Sequence, residues 1–191
     1  MNDQVTPAET AEILRQAERC LDAEGDFVEL GCYKGDTSIL LGKLIKNTPK
    51  SLWIYDSFAG LPEKTIEDSS GAGANFQAGE LLVTKREVID KIRKHNLKNI
   101  IIKKAWFDEL TDQDLPSKIA FAFCDGDLYS SIKTSLKLVL PRLTDWGIII
   151  VHDYNNPELP GSARAVDEFL QQNPNFRLQV RHTLAVITKV C

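Results

Sequence analysis

Apolar residues recur along this chain with two alternating periods, and the alternation outlines the fold. Ile13, Leu14, Ala17 and Leu21 fall on one helical face, so residues 8–23 are expected to form an amphipathic helix ahead of the first strand. A short apolar run from Asp26 to Leu30 then reads as that strand. Gly35 to Ile45 returns to helical spacing with Ile39, Leu40, Leu44 and Ile45 inward, and Ser51 to Asp56 reads as a second strand ending in an acid. An irregular stretch follows from Ser57 to Gly79, holding Pro62 with Gly60, Gly71, Gly73 and Gly79. Loops of that length in compact domains are usually functional or disordered. Leu81 to Lys94 is helical in spacing through Leu82, Val88, Ile89 and Ile92. Asn99–Lys103 and Ile119–Cys124 read as strands three and four, and Ile132, Leu136, Val139, Leu140 and Leu143 mark the next helix. Gly147–Val151 is almost wholly apolar, the pattern of a strand in a sheet covered on both faces. A last helix carries Ala163, Val166, Phe169 and Leu170, before two short strands near Phe176–Val180 and Leu184–Thr188. Strands alternating with helices predict an α/β fold: a doubly wound, mostly parallel seven-stranded sheet with a C-terminal antiparallel strand.

Composition narrows the class. The length of 191 residues predicts one domain, an N-terminal helix over 1–24 and a core over 25–191. The net charge of −4 gives no support to a nucleic-acid partner, and the basic clusters Lys91–Lys94 and Lys103–Lys104 have acidic neighbours, as solvated faces do. No apolar run is long enough for a membrane span, and Met1-Asn2-Asp3-Gln4 lacks the blocks of a signal peptide. Cys20, Cys32, Cys124 and Cys191 are scattered without C-x-x-C pairing, which predicts neither disulfides nor a zinc site and points to the cytoplasm.

The segment Phe27-Val28-Glu29-Leu30-Gly31-Cys32-Tyr33-Lys34-Gly35-Asp36-Thr37 carries the first chemistry. A strand ends, a glycine turn follows, and a helix opens, which is how α/β domains hold a nucleoside cofactor. The spacing is G-x-x-x-G, without the middle glycine of the dinucleotide fingerprint. Asp36 in the first helical turn satisfies the helix dipole and would repel a phosphate. The expected guest has a ribose and an adenine but no phosphate, and S-adenosylmethionine fits. Glu29, Gly31, Tyr33 and Gly35 are the candidate contacts in this segment. Asp56, beyond the turn at the end of strand two, is placed to accept ribose hydroxyls or else is a helix cap or loop acid, with Ser57 beside it and Phe58 as a cofactor contact or a core aromatic. Trp106 and Phe107, after strand three, are candidates to flank the adenine or else core aromatics. Glu29 is a cofactor contact or a buried structural acid.

Three acids gather at later strand ends. Asp125-Gly126-Asp127 follows strand four and His152-Asp153 follows strand five, so both line the crevice expected to hold the cofactor. Oxygen ligands from adjacent strand ends suit Mg²⁺. Asp125 would face the metal and Asp127 the substrate; the alternative is that both cap the next helix. Imidazole is a poor Mg²⁺ ligand but suits other divalent ions such as Mn²⁺, so His152 stands as a metal ligand, a proton acceptor or a hydrogen-bonding group. His95 and His182 read as structural or exposed. G-x-S-x-G, Walker A and H-E-x-x-H patterns do not occur.

Asp56-Ser57-Phe58-Ala59-Gly60-Leu61-Pro62, Asp125-Gly126-Asp127-Leu128-Tyr129-Ser130, His152-Asp153-Tyr154 and the run from Gly161 to Phe169 together resemble the macrocin/mycinamicin-type sugar O-methyltransferases. The resemblance runs from about residue 25 to residue 172. It implies a Rossmann-like class I methyltransferase fold, S-adenosylmethionine as donor, Mg²⁺ on Asp125 and Asp153, and Asp127 as general base. His152 stands where the family has the first acid of its pair, which opens the question of which metal is used. Family members often carry a longer N-terminal portion; this chain starts close to the core, so the acceptor need not be a macrolide sugar.

The expected reaction moves a methyl group to a hydroxyl of a small molecule, a sugar or glycosylated natural product, with divalent-metal assistance. A catechol-type acceptor and a non-catalytic module that binds S-adenosylmethionine are the alternatives, and a nicotinamide oxidoreductase is disfavoured by the glycine spacing. No membrane partner is expected, and a homo-oligomer remains open.

Overall fold

The computed structural model describes residues 4–69 and 76–190. The first three residues, Gly71 and Gly73 of the expected loop, and Cys191 lie outside the described residues. The elements run α1 (Pro7–Glu18), β1 (Asp26–Leu30), α2 (Asp36–Leu44), β2 (Leu52–Asp56), α3 (Lys85–Lys94), β3 (Ile100–Lys104), β4 (Ile119–Cys124), α4 (Tyr129–Val139), β5 (Leu143–Val151), α5 (Pro160–Gln172), β6 (Phe176–Arg181) and β7 (Leu184–Lys189). They build a seven-stranded sheet in the order β3-β2-β1-β4-β5-β7-β6. β1 to β5 pair in parallel, and β7 runs against both β5 and β6. The strand order therefore reverses between β1 and β4, where open α/β sheets bind ligands.

Local chemistry explains where elements depart from the pattern. α3 starts at Lys85, not near Leu81, because Thr84 caps it: its hydroxyl accepts the Glu87 amide at 3.2 Å and the Glu87 carboxylate accepts the Thr84 amide at 2.8 Å. α4 stops at Val139 and tightens into a 3₁₀ turn, Leu140–Arg142, at Pro141, so Leu143 opens β5 instead of closing the helix. β5 bulges at once. Leu143 pairs with Ile119 but Ile148 pairs with Phe121, and the exposed Trp146 lies in the excess.

The central strands β1, β4 and β5 are buried on both faces, whereas the edge strands β3 and β6 are partly exposed. Phe27, Ile54, Phe121, Phe123, Ile148 and Ile150 pack toward Ile13 and Ala17 of α1, Ile39 and Leu41 of α2, and Val88 and Ile92 of α3. Val28, Leu30, Tyr55, Ala122, Cys124, Ile149 and Val151 pack toward α4 and α5, through Ile132, Leu136, Val139, Ala165, Val166 and Phe169. Period-two alternation then decides what the strand ends present. Phe27 leads to Glu29, Phe123 to Asp125 and Ile150 to His152, all on the α1–α2 side of the sheet. Among the described residues, no helix is long and apolar enough to cross a membrane, and Cys20, Cys32 and Cys124 are buried and unpaired.

Candidate active site

The sheet's hydrogen bonding continues one residue past β1, β4 and β5, which makes the strand tips rigid. The Gly31 amide donates to Tyr55 O at 2.9 Å, the Asp125 amide to Leu30 O at 2.8 Å, and the His152 amide to Cys124 O at 3.0 Å. Gly31 takes φ 91°, and a Cβ there would run into the Asp125 carbonyl oxygen, so only glycine lets the tips of β1 and β4 close together. Gly35 caps α2 in a left-handed conformation, and Asp36 in the first turn pairs with Lys91 at 2.6 Å.

Asp56 organises this turn. Its Oδ2 accepts the Cys32 amide at 2.9 Å and the Tyr33 amide at 3.2 Å, and its Oδ1 accepts the Phe58 amide at 2.7 Å. A carboxylate offers about four acceptor positions, so one on Oδ1 is left for an outside hydroxyl. Glu29 lies fully buried behind the turn. Ser38 donates to its Oε2, whereas its Oε1 has no partner. Burial, then the charges of Asp125 and Asp56, push its carboxyl up to about 8.

Two cavities meet across these tips. The first, with its mouth open to solvent, is lined by Gly31, Asp56, Ser57, Trp106, Phe107 and Asp127 among others. The second runs under α1 and reaches Glu29. Gly31, Tyr33 and Asp125 line both, so the two form one trough. Two of the cofactor-contact candidates lie off it. Gly35 serves as the cap of α2. Phe58, at φ 48° with its amide held by Asp56, folds its ring into the core layer of α1–α3 instead of presenting it to a ligand.

The acids of β4 and β5 converge as the strand order requires. Asp125 lines the trough, and His152 and Asp153, 4% and 6% exposed, sit behind it. His152 Nδ1 is 2.9 Å from Asp125 Oδ1 and 2.8 Å from Asp153 Oδ2, yet neither approach has hydrogen-bond alignment and neither ring nitrogen completes a bond. The three donor atoms lie within 4.8 Å of one another. Neighbouring ligands of an octahedral ion at ~2.1 Å are about 3 Å apart and opposite ones about 4.2 Å, so the spacing fits a divalent ion. Burial would keep the imidazole neutral, but the charge and contact of Asp125, then Asp153 and Glu9, outweigh it and raise His152 well above its ordinary value. A proton and a metal ion are alternative occupants of the Nδ1 lone pair. Asp127, half-buried at φ 59°, is pushed well above the usual carboxylate range by burial and by the charges of Asp125 and Asp153.

With this geometry in place, the family model for macrocin-O-methyltransferase (TylF) matches residues 11–183. The chain belongs to the macrocin O-methyltransferase family. It is 29% identical over 139 residues to the 8-demethyl-8-(2,3-dimethoxy-alpha-L-rhamnosyl)-tetracenomycin-C 4'-O-methyltransferase of Streptomyces olivaceus, covering 68% of this chain and 53% of that one. It is 28% identical over 155 residues to the demethyldecarbamoylnovobiocin O-methyltransferase of Streptomyces niveus, covering 76% and 58%. The chain thus spans between half and three-fifths of these curated relatives. The solved O-methyltransferase NovP superposes with a TM-score of 0.86 at 23% identity, over 99% of this chain and 82% of its own.

Three residues of this macrocin-type site escape the sequence reading. Glu9 of α1 is 3% exposed and its Oε2 faces His152 Nε2 at 3.8 Å. That imidazole, with donors from Thr183 and Thr6, holds Glu9 well below the usual carboxylate range although burial opposes it. Asp68, in the loop after β2, accepts the Tyr129 amide at 2.7 Å and so ties the loop to the first turn of α4, beside Asp127. Ser162 of α5 donates to Asp127 O at 2.9 Å. Glu9 carries a signal after all: Glu9, Ile13 and Ala17 recur every four residues, which puts an acid on the inward stripe of α1. Ser162 lies in the Gly161–Phe169 run that carries the resemblance, but without a role of its own there, and Asp68 carries no signal, being a polar residue in a loop.

Proposed function

We propose that the chain transfers a methyl group from S-adenosylmethionine to a hydroxyl of a small glycosylated natural product, with a divalent ion held by Asp125, His152 and Asp153. The observation that carries this reading is a trough that joins a nucleoside-type glycine turn to Asp125, behind which His152 and Asp153 complete a three-donor cluster. The acceptor class is supported by the Streptomyces olivaceus relative, which by its name methylates a rhamnosyl-bearing tetracenomycin.

The donor supplies an electrophilic methyl on a sulfonium, and the ion lowers the pKa of a hydroxyl bound to it. The chain's own residues do the rest. Trp106 and Phe107 offer flat apolar walls beside the free acceptor position of Asp56, a combination suited to adenine and ribose. The acidic residues Asp56 and Asp125 on its wall make the trough attractive to a cationic ligand and repulsive to phosphate. Asp127 takes the acceptor's proton as the acceptor oxygen bonds to the methyl carbon and the donor's sulfur–carbon bond breaks, which releases S-adenosylhomocysteine. The hold of Ser162 on the Asp127 carbonyl and of Asp68 on the next helical turn keeps the base in place.

The test is transfer of labelled methyl from S-adenosylmethionine to a panel of glycosylated hydroxyl acceptors. Asp127→Asn is expected to lower turnover by ~10²–10⁴-fold with S-adenosylhomocysteine affinity nearly unchanged. Undiminished turnover in that variant excludes Asp127 as the base.

A further inference from the structure

We infer that Asp68, seated against Gly161, is a positioning residue that fixes the aim of Asp127 and ties that aim to occupancy of the donor side of the trough. The inference rests on the reading of Asp127 as the base, and it adds what sets the direction of that carboxylate.

Asp127 stands at the apex of a tight turn. It takes φ 59°, and the Leu128 amide closes past it onto Gly126 O at 2.6 Å. Such turns with positive φ are rare and strained, and strain of this kind persists only where the surroundings over-determine it. Upstream, the Asp125 amide pins the turn to Leu30 O at 2.8 Å; at its apex, the Ser162 hydroxyl donates to Asp127 O at 2.9 Å. Downstream the chain runs directly into α4, whose N-cap, Leu128, offers no side-chain acceptor to the first-turn amides. The cap arrives from another part of the chain. Asp68 Oδ1 accepts the buried Tyr129 amide at 2.7 Å, while its Oδ2 accepts the Thr65 amide and the Thr65 hydroxyl, each at 2.9 Å. Gly161, in the first turn of α5, makes the room: a Cβ there would lie 2.0 Å from Asp68 Oδ1 and 2.8 Å from the Tyr129 nitrogen.

The loop that delivers Asp68 also reaches the donor. It leaves β2 at Asp56, and Ser57, Gly60, Leu61 and Pro62 line the trough. Leu61 packs with Leu128, the residue after the base, and with Leu159. A donor that settles against this loop therefore favours the arrangement in which Asp68 caps α4, and by linkage the cap favours the donor.

The experiment follows hydrogen exchange at the Tyr129 amide by nuclear magnetic resonance, with and without S-adenosylhomocysteine. It compares the native chain with Asp68→Ala, Gly161→Ala, the double variant and Arg164→Gln. The last breaks the Arg164–Glu67 pair at 4.0 Å, another tie between loop and α5, and leaves the cap whole. In the native chain the amide should be protected, and S-adenosylhomocysteine should slow its exchange by a further ~5-fold or more. Asp68→Ala and Gly161→Ala should each speed exchange and abolish the response to the ligand, whereas Arg164→Gln should keep both features. Because the two changes remove one contact, the double variant should match the more damaged single variant and not the product of the two. Turnover of an acceptor that the native chain methylates in the panel above gives the second readout. There kcat should fall ~10–100-fold in each single variant, with the acceptor KM little changed. A Tyr129 amide that exchanges in Asp68→Ala as it does in the native chain overturns the inference. So does a native amide indifferent to S-adenosylhomocysteine, or a loss of turnover carried by KM alone. If exchange behaves as expected but Asp127→Asn keeps full turnover, the base reading fails and takes the part of Asp68 in catalysis with it.

Discussion

Glu29 is a buried acid whose neighbours do not neutralise it, and its removal has a calculable effect. In Glu29→Gln the side chain keeps its shape and an oxygen for the Ser38 hydroxyl, but loses the ability to ionise. An acid whose carboxyl is pushed from 4.5 to about 8 on folding binds its proton more tightly in the folded protein. Its contribution to stability is therefore present at low pH and lost as pH rises from about 4.5 to about 8, with nothing further lost above that. The full span corresponds to at most about 5 kcal/mol, from ~1.4 kcal/mol per pH unit of displacement. Urea denaturation of the ligand-free protein and of the variant at intervals from pH 5 to pH 9 measures it. The native protein should lose stability relative to Glu29→Gln across that window and then run parallel to it. A difference that stays constant from pH 5 to pH 9 would refute the assignment of Glu29 as a buried acid pushed up by its surroundings.

Asp56→Asn exchanges an ionised acceptor of three amides for a group with one acceptor oxygen; stability should fall by about 2–4 kcal/mol. Urea midpoints check the loss, and S-adenosylhomocysteine affinity should fall with them. Asp68→Ala leaves the Tyr129 amide and both Thr65 donors without their partner, which should cost about 2–3 kcal/mol and loosen the loop from Ser57 to Ser69. Limited proteolysis should then cut that loop faster, while an unchanged cleavage rate would show that Asp68 does not tie it down.

What could be read from sequence was what alternation and punctuation encode. Apolar periods place all seven strands and five helices, and the terminal hairpin places the antiparallel strand, because each buried face writes its own spacing. Boundaries slipped where a cap or a bulge overrides the period. Thr84 trims α3, Pro141 ends α4, and the bulge at Trp146 hides the start of β5. At the site, Asp125, His152 and Asp153 were legible as strand-end residues, because chain order already puts them at neighbouring tips. Phe58 stood open between ligand contact and core, and the core reading holds through an inward turn that depends on a positive φ held by Asp56. The first task of Asp56 stood open in the same way, as ribose acceptor or loop acid: a carboxylate that stitches a turn and one that waits for a ribose have the same spelling. Glu9 was masked differently. Thr6-Pro7-Ala8-Glu9 reads completely as a capping box, and the box is real, but the same carboxylate also faces His152 across the interior.

The central claim is that one trough holds the methyl donor and an acid-bound ion side by side. A crystal structure of the chain grown with S-adenosylhomocysteine and a transition ion, with anomalous scattering to locate the metal, tests it most directly. The account predicts the nucleoside between Gly31 and Trp106, and a metal peak within coordination distance of Asp125, His152 Nδ1 and Asp153. A nucleoside bound elsewhere, or a metal peak away from those three donors, would contradict it.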